Sequence, residues 1–160
     1  MMRTIGATDD STATTILRLV LGVVFFAHGA QNMLGWCGGV GFSATMAMFT
    51  GMMHMPAPLA FVAIVAEFFG GLGLILGCLT RVAACGIGIT MLVAMVTVHS
   101  AFGLFMHWTG AQQGEGFESH LLVRALVAFL MLRGAGALSV DRALTRVAPS
   151  NKAPARLVHA

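Results

Sequence analysis

Three side chains in this 160-residue sequence combine proton chemistry with apolar surroundings: Glu67, His28 and His99. Glu67 sits near the middle of PAPLAFVAIVAEFFGGLGLILGCLTR, Pro56 to Arg81, a run long enough to cross a bilayer. A spanning helix needs about 20 apolar residues, and an ionisable group at its centre costs on the order of 2.5 kcal/mol or more. A carboxyl kept in such a place is either hydrogen-bonded to a neighbouring helix or at work on a ligand or a proton. His28 is followed by Gln31 and Asn32 at i+3 and i+4, which gathers three polar groups near one end of an apolar helix. His99 lies in a further apolar segment, where hydrogen-bonded packing and ligand contact both account for a lone imidazole. Arg18 stands about one turn inside the first segment, and its stem is long enough to snorkel to the headgroups. His120 and Arg124 share a helix face, which aims Arg124 into the bundle or up toward Glu118.

The elements that must hold these groups follow from composition. The chain is 58% hydrophobic and 9% charged, with a mean hydropathy of +0.87, and its apolar residues come in long segments. That excludes a soluble domain and makes the chain an integral membrane protein. The pI near 9.2 carries no nucleic-acid signal, because the cations flank the apolar segments. The expected fold is all-α: a bundle of four transmembrane helices over about 14–33, 58–78, 82–106 and 119–134. Between the first two, Phe42, Met46, Phe49 and Met53 recur at i, i+4, i+7 and i+11, the stripe of a short interfacial helix. A Met stripe at this spacing reads as packing more readily than as a copper site.

The expected organisation is a cytoplasmic segment 1–13, a membrane domain 14–142 and a flexible cytoplasmic tail 143–160. Gly70, Gly73 and Gly77 in the second span let another backbone approach, and Glu67, Gly71, Leu74 and Cys78 share a face, so the acid lies on a packing surface. Three cysteines without CxxC spacing support neither a redox dithiol nor a metal site.

Orientation comes from the cations. Segments 34–55 and 107–118 contain no Lys or Arg, whereas the opposite side carries Arg3, Arg81, Arg133, Arg142, Arg146, Lys152 and Arg156. The positive-inside rule then puts both termini in the cytoplasm. Trp36 and Trp108 fall at span ends, where interfacial anchors belong. On this topology His28, Gln31, Asn32, His99, Glu118, His120 and Arg124 occupy the outer half of the bilayer, with Glu67 below them. Polar groups descending to a buried acid make either a ligand pocket, a proton path or a set of interhelical hydrogen bonds.

The chain resembles the DoxX family of small four-helix membrane proteins. The likeness rests on Arg18, on HGAQN with the following LGW and glycines (His28 to Gly41), on Pro56 to Ala84, on His99, on GEGFE (Gly114 to Glu118) and on GAGALSVDR (Gly134 to Arg142). A Lys commonly follows the HG-Q element in the family, and Asn32 stands there in this chain. The resemblance implies a bacterial inner membrane and a quinone-linked role, because one family relative is a membrane subunit of a thiosulfate:quinone oxidoreductase. It makes Glu67, His99 and His28 the expected catalytic groups and Arg18, Gln31, Asn32 and Glu118 the expected contacts to a quinone. The expected partners are the lipid bilayer, a redox protein and further copies of the chain, with no nucleic acid. The alternative from another class is a non-catalytic membrane anchor or assembly partner for a redox or stress-response protein.

Overall fold

A computed structural model describes residues 8–110 and 113–147, and every regular element in it is helical. Helix α1 spans Thr12–Leu34, α2 spans Gly41–Ala47, α3 spans Ala57–Leu76 and α4 spans Thr80–Thr97. After a long connection, α5 spans Glu118–Arg133 and α6 spans Val140–Val147. Among the described residues, α1, α3 and α4 are long and apolar enough to cross a membrane. With its 16 residues, α5 reaches only about 24 Å at the helical rise. It nevertheless runs back along α4 as the fourth member of the bundle, with Val127 against Gly88 and His120 against His99.

Local signals set the ends of these helices. The Ser11 hydroxyl accepts from the Thr14 amide at 3.2 Å and caps α1, while Gly35, at φ 74°, ends it. Pro56 and Pro58 open α3, where no intrahelical N–H is needed. Gly77, at φ 65°, closes α3, and α4 starts three residues later, so the two helices form a tight hairpin.

The close approach of α1 and α3 rests on missing side chains. A Cβ on Gly71 would run into the backbone nitrogen of Phe26, and one on Gly29 would run into the backbone of Phe68. The rings of Phe26 and Phe68 close the gap beside these contacts, 5.2 Å apart. Leu21, Phe25, Leu74, Ala84, Ile87, Val127 and Leu130 then form the buried core where α1, α3, α4 and α5 meet. Outward-facing residues such as Val20, Val23, Phe69, Leu76 and Leu132 are exposed, which suits a solvent of lipid tails.

The structure corrects one expected helix end and details two further segments. The third spanning helix ends at Thr97, not near Met106: Val98 is its C-cap at φ −119°, and His99–Phe102 form a single 3-10 turn. The β-branched Val96, Thr97 and Val98 weaken the helix there, and the Thr97 and Ser100 hydroxyls donate to the Val93 and Val96 carbonyls. The interfacial helix is the short α2, extended by a π-helical turn over Met48–Met52. It folds back on the bundle, with Phe42 meeting Phe61 of α3 edge-on at 6.1 Å. A short helix, α6, crosses the boundary expected at 142 and runs to Val147. Residues 1–7 of the N-terminal segment and 148–160 of the tail lie outside the described residues.

Arg18 is the largest correction. It does not snorkel; its side chain is only 1% exposed. Its Nε donates to the Ala135 carbonyl at 2.8 Å and Nη2 to that of Leu138 at 2.6 Å. Nη1 donates to the carbonyls of Leu74 and Ile75, two of the last in α3. These are acceptors that a helix end leaves without intrahelical donors. On the other side of the hairpin turn, Asp141 accepts from the amides of Leu79 at 2.8 Å and Thr80 at 2.9 Å, the first donors of α4.

The α1–α3 contact gives a stability prediction. Gly71→Ala should lower the detergent melting temperature by the equivalent of about 1–3 kcal/mol, the usual cost of overpacking. Gly51→Ala, where a Cβ meets nothing within 4 Å, should lower it far less. Equal shifts for the two variants would show that the approach of α1 to α3 is not the constraint described.

Candidate functional site

The polar residues singled out by sequence divide into three places. At the Leu34 end of α1, Asn32 Nδ2 donates to Glu67 Oε2 at 2.7 Å. The acid therefore lies level with Asn32 and not beneath the polar layer. The register follows from the glycine contacts: Gly29 against Phe68 and Gly71 against Phe26 bring the last turns of α1 alongside the middle of α3. Gln31 donates to the Cys37 carbonyl at 3.2 Å and braces the turn after α1. His28 is exposed on the bundle surface, because Phe25 and Gly29 occupy the face turned to α3.

The second place is a cavity of about 200 Å³ between the Ala57 half of α3 and the Thr97 half of α4, covered by the segment that follows α2. Phe49, Met53 and Met55 come from that segment, and Val62, Glu67 and His99 are among the remaining walls. One water requires only about 10–15 Å³ on a comparable measure, so the space admits an organic group. Its walls are apolar apart from Glu67, Thr90, Thr97 and His99. The two threonines donate their hydroxyl protons to Gly86 and Val93 of their own helix. Glu67 and His99 remain as the groups with capacity to spare. Among the described residues, Asn32 is the one hydrogen-bond partner of the Glu67 carboxyl, so its second oxygen is uncommitted.

The orientation of His99 is set by the long outer connection. Its Nδ1 lies 2.7 Å from the Glu115 carbonyl, which can only accept, so Nδ1 carries the proton. In the neutral ring Nε2 is then an open base. Glu115 is held in turn by its own carboxylate, which accepts from the His107 amide at 2.7 Å. Backbone bonds from Gly116, Phe117 and Glu118 to Phe105, Gly103 and Leu104 zip the two arms of the connection together. Glycine is required at 114 and 116, where a Cβ would strike the Phe102 ring and the Phe105 carbonyl respectively.

The third place is the opposite end of the bundle, where Arg18 is fully engaged with backbone carbonyls, far from Asn32 along α1. The structure thus brings Glu67, Asn32 and His99 to one site and leaves His28 beside it. Gln31 and Arg18 serve the backbone instead. Glu118 also lies off the cavity: its carboxylate accepts from the Met106 amide at 3.4 Å.

Sequence reasoning placed His120 in the polar layer but gave it no contact to His99; it is 6% exposed and packs against that ring at a tilt, with centroids 4.2 Å apart. It backs the cavity imidazole from α5. Its spacing to Arg124 pointed to a shared face, but nothing in the sequence pairs it with His99. Arg124 itself turns into the bundle, with Nη1 3.9 Å from the Met95 sulfur.

The DoxX pattern matches residues 13–100, which takes in α1 through the His99 turn and so includes Arg18, Asn32, Glu67 and His99. The chain belongs to the DoxX family. Family membership thus covers the helices that build the cavity. Over 85 residues the chain is 29% identical to "Putative oxidoreductase CatD" of Bacillus subtilis (strain 168). That stretch is 53% of this chain and 58% of the Bacillus protein. No solved structure matches the chain.

The hydrogen bond between Asn32 and Glu67 predicts an ordering of variants. Glu67→Gln keeps an oxygen for Asn32 and should melt within about 0.5 kcal/mol of the parent. Glu67→Ala strands the Asn32 amide and should cost about 1–3 kcal/mol. Equal losses for Gln and Ala in detergent melting would mean that a charged carboxylate, not its hydrogen bond, holds the site.

Proposed function

We propose that this DoxX-family membrane protein is the quinone-handling subunit of a membrane redox assembly, with the head group held between Glu67 and His99. The observation that carries this reading is the pairing of an acid and an imidazole on the walls of one otherwise apolar cavity. Small-molecule sites combine apolar walls with a few placed polar groups in this way. The name of the Bacillus relative points in the same direction.

When bound, a quinone supplies two-electron chemistry coupled to two protons. The residues of the chain handle the protons. His99 Nε2, freed by the bond from Nδ1 to Glu115, takes a proton from a hydroxyl or returns one as imidazolium. Glu67 does the same from the opposite wall, steadied by Asn32 at Oε2. The packed aromatic and methionine side chains of Phe49, Met53 and Met55 keep bulk water from the space. The electrons pass to or from a redox protein docked on the membrane subunit.

Orientation follows the cation count: the Arg18 end of the bundle faces the cytoplasm, and the cavity lies toward the outer leaflet of a bacterial inner membrane. Exposed Cys37 should then be modified by a membrane-impermeant maleimide in intact cells, while Cys78, at the α3–α4 turn, should not. Modification of Cys78 with Cys37 protected would invert the topology.

Ligand binding is checked on the full chain in nanodiscs, by titration with a tail-less benzoquinone analogue. His99→Ala and Glu67→Ala should each weaken binding by about 3–10-fold, the worth of one hydrogen bond. Glu118→Ala, off the cavity, should leave affinity unchanged. Absence of binding, or equal loss in all three variants, would remove the quinone reading and leave that of a membrane anchor.

A further inference from the structure

Below the cavity, on the same hairpin, lies a second and larger recess of about 440 Å³. It runs along the outer side of α3 and α4, from Val62 to the Cys78–Leu79 turn. Its floor is made of small residues, among them Ala66, Gly70, Gly73 and Gly86, and no charged side chain lines it. The two spaces share a wall: Val62 borders both. On α3 the distance from Val62 to Leu76 is about 21 Å at the helical rise.

We propose that this groove seats the apolar tail of a long-chain, polyprenyl-type quinone whose head lies in the Glu67–His99 cavity. The inference rests on the reading of the head-group site given above, and it adds a tail site with its own residues. Three features support that occupant. The groove begins at Val62, which also walls the head cavity, so the two spaces adjoin on α3. Its lining is apolar throughout, which suits a hydrocarbon and offers a polar group nothing. Its depth depends on absent side chains: a Cβ on Gly86 would meet only the Cβ of Ala66, at 3.5 Å, so the space beside it is free for a ligand.

The test compares two ligands on the full chain in nanodiscs of one fixed lipid composition: a tail-less benzoquinone and the same head with a polyprenyl tail. With both ligands expressed as mole fractions in the nanodisc lipid, the parent protein should bind the tailed form about tenfold more tightly, through packing of the tail against α3 and α4 and not through its removal from water. Gly86→Leu, which fills the groove, should cut this preference to below about threefold while leaving the tail-less affinity unchanged. Ala66→Phe fills the same space from α3 and replaces Gly86→Leu if that variant melts early. An undiminished preference in the filled variant would place the tail in the surrounding bilayer and overturn the proposal, as would a parent with no preference. If neither quinone binds, the head-group reading fails and the tail site falls with it. Tail-less binding with an unaltered tail preference sinks the groove alone.

Discussion

The fold depends on two buried charges gripping one helical hairpin from opposite sides. The C-terminal carbonyls of α3 and the N-terminal amides of α4 meet at the turn around Gly77 to Leu79, and both sets lack partners inside their own helices. Arg18 supplies donors to the first set and Asp141 accepts from the second. Each charge also has the sign that the adjoining helix dipole favours. Neither residue belongs to the hairpin. One comes from α1 and the other opens α6, so the hairpin, the first helix and the segment after α5 are fixed together. Hydrogen bonds from Asp141 N to the Gly77 carbonyl and from Arg18 to Ala135 and Leu138 complete the junction.

Pinning at this end has a consequence at the other. Small residues hold α3 and α4 together near the turn, with Gly70 against Ile87 and Gly73 against Ala83. Toward the outer side the two helices no longer have such contacts, and the space between them becomes the cavity that Glu67 and His99 line. Its cover comes from the π-turned segment after α2, and its floor imidazole from a turn that exists only because α4 stops at Thr97. A continuous helix to Met106 would carry His99 on a regular face, without the bond to Glu115 that fixes its proton. The broken helix and the oriented histidine are therefore one feature.

Much of this was legible in the residues. Hydropathy marked the spans, Pro56 and Gly77 marked the limits of α3, and the cost of a carboxyl in an apolar run singled out Glu67. Its partner Asn32 was in view but not the pairing, because antiparallel register is decided by tertiary contacts at Gly29 and Gly71. Arg18 was misplaced for a physical reason. A snorkelling stem and a carbonyl-binding guanidinium require the same residue at the same depth, and only the return of residues 135–138 distinguishes them. The end of α4 was missed because apolar character continues past Thr97 while helical geometry does not. Periodicity could not see His120 beside His99, since the contact spans two helices.

The junction at Arg18 also bears on how the protein is made. The first helix emerges from the ribosome carrying a guanidinium whose acceptors at Ala135 and Leu138 lie 117 and 120 residues later in the chain. Synthesis at about 5–20 residues per second leaves that charge without them for several seconds at least. The acceptors at Leu74 and Ile75 are made earlier, 56 and 57 residues after Arg18, so the guanidinium gains its partners in two stages. The contacts that hold Arg18 in α1 thus join residues made at widely separated times in synthesis.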